Sequence, residues 1–395
     1  MGTPLTGVRV IEVAEYGFVP SCGAVLADWG ADVIKVERPS GDPLRAHAKA
    51  GLTAGTPDFD VVIEQFNRNK RDIAIDLTAD AGHALLERLV LGADVFLTSY
   101  LPSTRKKLRI DTDDIFSVNP SLVFARGSGQ GQRGPDADSG GFDSVSFWSR
   151  GGVGHMLSPP GGPLVMQRAA QGDGPSGMFL AGGIAAALFE RAHTGKGVVV
   201  DVSLLAGAVW TLSPDIVAAS VLGGDPPKMD PSRPQMGPLI GSYVTADDRW
   251  LMLSMLDGEK YWDQACRALT LDDWVGHPEY NTPDRRPQLT EIIATRPIDE
   301  WAARLRAEGC IFSKMATPLE VLDDVQVQEL DYVPRHPTHA TGRLASSPVQ
   351  FDDEPVVMSR GAPEVGEHTR EILDELGLAS DEIAALLGDG VIATP

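Results

Sequence analysis

The chain has 395 residues, with 55 acidic against 34 basic side chains and a formal net charge of -21. That balance argues against nucleic acid as the main partner, and 43% hydrophobic with 23% charged residues is the composition of an ordinary globular chain. The length exceeds one core of usual size, so two domains are expected. Cys22, Cys266 and Cys310 lie far apart, in no CxxC or metal-type spacing, which fits a reducing, cytoplasmic setting and predicts no metal site. Met1-Gly2-Thr3-Pro4 lacks a basic region followed by an apolar one, so no secretory signal is expected. No apolar run is long enough for a bilayer, and no membrane partner is expected.

Taken in order, Val8–Val13 is a short β-branched run and predicts a strand. Residues 20–29 predict a helix with Pro20 in its first turn, and 32–37 a second strand. Strand, helix and strand within about thirty residues make a parallel βαβ unit. Its first turn, Ala14 to Pro20, has no GxGxxG, so a dinucleotide site is disfavoured. Residues 38–66 predict an irregular excursion. Strands follow at 71–76, 94–98 and 121–126, with a helix to Val90 capped by Thr78. Helices are predicted over 140–150 and 204–222, and a strand over 198–202. Alternation of this kind predicts an α/β fold whose sheet is mostly parallel and covered on both faces.

After the proline- and glycine-rich stretch Gly223 to Pro234 the pattern changes. Residues 240–245 and 250–255 predict a hairpin about Asp247-Asp248, followed by helices at 258–269, 284–295 and 298–308. The expected organisation is a Rossmann-like large domain over 1–224 and a smaller α+β domain over 225–330. A segment over 331–395, with helices near 367–376 and 380–387, returns to the large domain.

The stretch Gln171-Gly172-Asp173-Gly174-Pro175-Ser176-Gly177-Met178 draws most notice, because it leads into an apolar run, Phe179 to Leu188. Aspartate before a helix is ordinarily an N-cap. A second reading makes Asp173 a nucleophile: Gly172 and Gly174 can open backbone N–H groups to a ligand, Ser176 can cap in its place, and the helix end keeps it ionised. Both readings stand on the residues alone.

Several motifs resemble the family III CoA-transferases, which include formyl-CoA transferase, carnitine CoA-transferases and the related α-methylacyl-CoA racemases. They are Pro4 to Glu12, Leu26 to Glu37, Asn67-Arg68-Asn69-Lys70-Arg71-Asp72-Ile73, Gly172-Asp173 with Gly177-Met178, and His193 to Gly197 with Asp201 to Leu204. Asp247 to Trp250, Thr317 to Asp324 and Gly366 to Thr369 continue the match in family order. The resemblance implies that Asp173 attacks an acyl-CoA thioester to give a mixed anhydride and CoA thiolate, with an aspartyl-CoA thioester on the path to a carboxylic-acid acceptor. It implies no tightly bound cofactor, CoA and acyl-CoA being substrates. It also implies a ring-shaped protomer in an interlocked homodimer. CoA contacts carry over to Arg38, Asn67, Asn69, Lys70, Ser99, Tyr100, Leu101 and Lys107, with Arg105, Lys106 and Lys107 as a phosphate patch.

Departures narrow the substrate. Gly17 stands where formyl-CoA transferase has a glutamine, and Gln235-Met236-Gly237-Pro238 does not match its tetraglycine loop, so oxalate and formyl-CoA are not favoured. Phe142, Phe147, Trp148 and Met166 are candidates for an acyl pocket. The rival racemase reading needs a histidine within Gly140-Gly141-Phe142-Asp143-Ser144, and none is there. His155 reads as a loop residue and Asp143 as a cap or ion-pair partner. A rival of another class is a non-catalytic CoA-binding protein.

Overall fold

The computed structural model describes residues 3–49, 55–56, 59–228 and 236–395. Most of the linker expected at 225–234, and Gln235, lie outside them, as does part of the 38–66 excursion. Chain contacts divide the protein into two compact units. The larger comprises Met1–Ser158, Pro163–Pro226 and Gln328–Pro395; the smaller comprises Pro159–Gly162 and Pro227–Val327.

The larger unit is built on a seven-stranded sheet. Its strands are β1 (Arg9–Val13), β2 (Asp32–Glu37), β3 (Arg71–Ile75), β4 (Val95–Thr98), β5 (Val123–Ser128), β6 (Val198–Ser203) and β7 (Ile392–Ala393). The spatial order is β7-β3-β2-β1-β4-β5-β6. All neighbours are parallel except β7, which pairs antiparallel with β3. The helices named below are α1 (Phe18–Asp28), α2 (Val61–Asn67), α3 (Asp80–Leu91), α4 (Pro102–Leu108), α5 (Thr112–Val118), α6 (Asp173–Thr194), α7 (Leu204–Thr211), α8 (Ser213–Leu222), α9 (Thr369–Glu375) and α10 (Ser380–Gly388).

The near-continuous apolar character of the inner strands follows from burial on both faces. Val10, Val33, Val95, Leu97, Val123 and Ala125 point to one side, against α1 and α6. Ile11, Ile34, Ile73, Phe96 and Phe124 point to the other, against α3, α5, α9 and α10. Order reverses at β1, which lies between β2 and β4, so the connections after β1 and β4 diverge and leave a crevice at the carboxyl ends of the strands.

Three local expectations change. Thr78 does not cap α3: its N–H and hydroxyl both bond Asp76, at 2.9 and 2.6 Å, and the helix starts at Asp80 after an uncapped Ala79. The helix expected at 140–150 is a π-helical segment, Asp143–Arg150. Helix α6 begins at Asp173, not after it, and is not apolar and buried all round: Ser176, Leu180, Ala181, Ile184 and Ala187 face the core while Phe179 and Phe189 are exposed.

The smaller unit holds a three-stranded antiparallel sheet of Ile240–Val244, Trp250–Ser254 and Phe312–Lys314. The first two strands form the expected hairpin, and Asp248 turns it with φ 55°. Helices Gly258–Ala268, Arg286–Ile293 and Ile298–Ala307 cover it around Trp262, Trp274 and Trp301. Among the described residues, no single helix is long and apolar enough to cross a membrane; the bent pair α7 and α8 meets the length and composition alone.

Candidate active site

A cleft of about 510 Å³ opens where the strand order reverses. Its charged lining residues are Glu15, Glu37, Arg38, Asp76 and Asp173. Asp173 is the first residue of α6, and the helix is placed by close packing on α1. A Cβ on Gly177 would stand 1.9 Å from Ser21 Oγ and 2.9 Å from Cys22 N, so only glycine permits the approach. The Ser21 hydroxyl also donates to the Asp173 carbonyl at 3.1 Å. The Asp173 carboxylate lies against the backbone of Gly17, where a Cβ would come within 2.5 Å of Oδ2.

Asp173 is not the cap of its helix. The N-cap position is Gly172, without a side-chain cap. Ser176 does not cap either: its hydroxyl is buried without a hydrogen-bond partner. The glycine N–H groups are not open to a ligand, since Gly172 N–H donates to Asp143 and Gly174 N–H to the Ala170 carbonyl. Asp143, from the π-helical segment, occupies the helix end, with both carboxylate oxygens 3.1 Å from Gly172 N. Burial raises the Asp143 carboxyl, opposed by the N–H groups of Gly172, Asp173 and Gln171.

Among the described residues no hydrogen bond or ion pair engages the Asp173 carboxylate. Burial, and after it the charge of Asp143, push its carboxyl up to about 7. The expectation that the helix end keeps Asp173 strongly ionised is therefore corrected: Asp143 has taken that position. What results is a free carboxylate in a partly desolvated setting, suited to act as base or nucleophile near neutral pH.

Arg38, Ser99, Tyr100 and Leu101 come together in the cleft with Asp173. Arg38 Nη2 lies 2.5 Å from Glu15 Oε1, and the Tyr100 hydroxyl donates to the same oxygen at 3.1 Å. The Ser99 hydroxyl accepts the Glu15 N–H at 3.0 Å. Tyr16, held at φ 68°, packs edge-on against Phe142 with ring centroids 5.0 Å apart, and both rings line the cleft.

Asn67, Asn69 and Lys70 are elsewhere. Lys70, fully buried, donates from Nζ to Glu12 Oε1 (2.8 Å), the Pro20 carbonyl (2.9 Å) and Asn67 Oδ1 (3.1 Å). Asn67, also buried, donates to the Ile63 carbonyl at 3.1 Å. Asn69 joins Asp28 to residues 357–360. These side chains make internal bonds and do not line the cleft. Lys107 is exposed and outside the cleft lining, and Arg105 is buried, bonded to Asp111, Tyr100 and Gln132, so the two do not form one patch with Lys106. Of the acyl-pocket candidates, Phe142 lines the cleft, Phe147 and Trp148 are core, and Met166 is exposed away from it. His155 is exposed on the short helix Val153–Leu157 and not in a loop as expected, and among the described residues no histidine lines the cleft.

Residues missed from sequence include Glu15, Tyr16, Ile75 to Thr78 and Gly127 to Gly129. They lie at or just beyond the carboxyl ends of β1, β3 and β5, where ligands of open parallel sheets gather. That rule, applied to the expected strands, could have found them.

An open, mostly parallel α/β sheet with a free carboxylate at a helix head in its crevice defines an arrangement suited to nucleophilic or acid–base chemistry on a bound ligand. The sequence profile described as CoA-transferase family III matches residues 5–369, and the chain belongs to that family. It is similar to (R)-2-hydroxy-4-methylpentanoate CoA-transferase of Clostridioides difficile, at 31% identity over 96% of this chain and 97% of that protein. It is similar to cinnamoyl-CoA:phenyllactate CoA-transferase of Clostridium sporogenes, at 32% identity over 97% and 96%. The structure resembles the crystal structure of a CAIB/BAIF family protein from Brucella suis, with a TM-score of 0.79 and 25% identity over 95% of this chain and 100% of that one. The protein is an enzyme of the CoA-transferase class.

Proposed function

We propose that this enzyme moves CoA from an acyl-CoA thioester to a carboxylic acid through covalent intermediates on Asp173. The observation that carries the reading is the Asp173 carboxylate, unpaired at the head of α6 and exposed to the cleft beside Gly17. In the first step a carboxylate oxygen bonds to the acyl carbon, the C–S bond breaks and CoA leaves as thiolate. The thiolate then attacks the aspartyl carbonyl of the anhydride, releasing the donor acid and forming aspartyl-CoA. The acceptor carboxylate attacks that thioester, and the thiolate returns to the acceptor's acyl carbon, regenerating Asp173. A carboxylate serves because it is both nucleophile and leaving group.

Arg38 suits a CoA phosphate once it parts from Glu15, and Tyr100 and Leu101 offer apolar surface to the adenine. Among the described residues, the cleft lining offers no histidine as a second acid/base for racemisation. The two relatives are named for the 2-hydroxy acids 2-hydroxy-4-methylpentanoate and phenyllactate, so acceptors of this class with apolar side chains are the first to test. The rings of Tyr16 and Phe142 provide apolar surface beside Asp173. Exposed apolar side chains on α6 to α8, among them Phe189, Trp210 and Val221, support a homodimer.

The test is to incubate the enzyme with cinnamoyl-CoA or succinyl-CoA and hydroxylamine and then map peptides by mass. A hydroxamate on the peptide carrying Asp173, lost in Asp173→Ala together with transfer activity, is the expected result. Full activity in Asp173→Ala would refute the mechanism.

A further inference from the structure

Asp143 is a second buried carboxylate beside the first, and the reaction just described does not use it. Its side chain is 7% exposed and its segment is π-helical, the wider turn that seats it under the head of α6. Both of its oxygens are 3.1 Å from Gly172 N, one residue before Asp173. The fit admits only glycine at 172: a Cβ there would lie 2.5 Å from Asp143 Oδ1 and 2.3 Å from Phe147 Cγ.

We propose that Asp143 is a positioning residue for Asp173, its two oxygens holding the Gly172 N–H at the turn that opens α6. The inference rests on Asp173 being the nucleophile. Two effects of the helix end are thereby exchanged. The Gly172 N–H at the helix end is satisfied by Asp143, so it does not hold Asp173 ionised and idle as a cap. Asp173 is left a free carboxylate whose basicity is raised by a like charge nearby. A more basic carboxylate is the stronger nucleophile toward a thioester.

Other ionisable groups face the cleft from every side: Glu15 and Tyr16 after β1, Glu37 and Arg38 after β2, Asp76 after β3, Tyr100 after β4. Glu15 is paired with Arg38, and Glu37 with Arg45 at 2.7 Å. The charge that acts on Asp173, beside burial itself, is that of Asp143.

The sign is definite. A neighbouring negative charge raises a carboxyl pKa, so the wild-type rate of aspartyl-adduct formation falls as pH drops through about 7. Asp143→Asn keeps an oxygen to accept the Gly172 N–H and removes the charge. Its acid limb is expected about one pH unit lower, so that at pH 6 it retains a several-fold larger share of its own plateau than the wild type. Asp143→Glu keeps the charge and shifts the oxygens, so the limb stays in place while the plateau rate falls. The readout is the pH profile of hydroxylamine-trapped adduct, taken with the acyl-CoA that labels Asp173. Should Asp143→Asn lack a cooperative melting transition, Asp143→Ser supplies the neutral acceptor instead. A limb that is unmoved or moves upward in the neutral variant, with Asp173→Ala inactive, overturns this inference alone. Activity surviving in Asp173→Ala overturns the nucleophile assignment beneath it.

Discussion

A Cβ on Gly17 would stand 2.5 Å from Oδ2 and 3.2 Å from Cγ of Asp173. The atoms it meets end a side chain, so Gly17→Ala should keep the fold and turn the carboxylate instead. A displacement near 1 Å at a reacting group costs about 100-fold in rate. We expect kcat to fall about 10- to 100-fold in Gly17→Ala, with the KM for acyl-CoA nearly unchanged. Steady-state kinetics would count against this placing if kcat stayed at the wild-type value. The same atom-level view explains why Asp173 was ambiguous in sequence. Residue type favours a cap, and only the arrival of Asp143 from 29 positions earlier shows the cap to be another residue.

Among the elements, β1, β2 and the turn after α2 are tied by a buried ionic network. Glu12 and Lys35 are register partners on adjacent strands, 3.6 Å apart and fully buried. Lys35 continues to Asp42 at 3.1 Å, and Asp42 accepts the Tyr16 N–H at 3.2 Å from both oxygens. The network thus ends on the loop that presents Gly17 to Asp173. Lys70 closes its other side at 2.8 Å from Glu12, and burial lowers its ammonium pKa to about 8 despite that partner. Lys70→Met removes one cation from a buried carboxylate and should cost about 3 kcal/mol, because the remaining charge is left poorly compensated. Denaturant unfolding measures this directly. A CoA contact would instead raise the KM for acyl-CoA and leave stability intact, and that pattern would restore the binding role first expected of Lys70.

At the scale of the whole molecule, the larger unit is assembled from both ends of the chain. Strand β7 pairs with β3, Thr369 Oγ1 donates to the Ala393 carbonyl at 2.8 Å, and Arg71 bonds Glu371 and Glu375 at 2.9 and 2.6 Å. The return of the C-terminal segment therefore covers the edge of the sheet that carries the cleft. On the opposite edge, β6 and α6 to α8 leave Val199, Trp210, Val217 and Val221 exposed. An apolar surface of this extent favours association. Light scattering at micromolar concentration is expected to give twice the mass of one chain. A monomer across that range would remove the dimer from the reading.

Local sequence alone determined the six parallel strands and the hairpin of the smaller unit, and it drew attention to Asp173 without deciding its role. Each rests on periodicity, turn residues or a motif contained in a few neighbouring positions. The internal bonding of the segment 67–70 was not legible for the complementary reason. Asn67, Asn69 and Lys70 carry polar groups suited to a phosphate, but tertiary packing turned them inward to Glu12, Ile63 and Asp28. Likewise the cleft gathers Glu15, Arg38, Asp76, Tyr100 and Gly127 from five strand ends, which no local pattern brings together. The candidacy of one aspartate was legible along the chain. Its freedom from capping and its raised pKa were decided only in three dimensions, because both depend on a carboxylate and a glycine backbone that folding brings to its side.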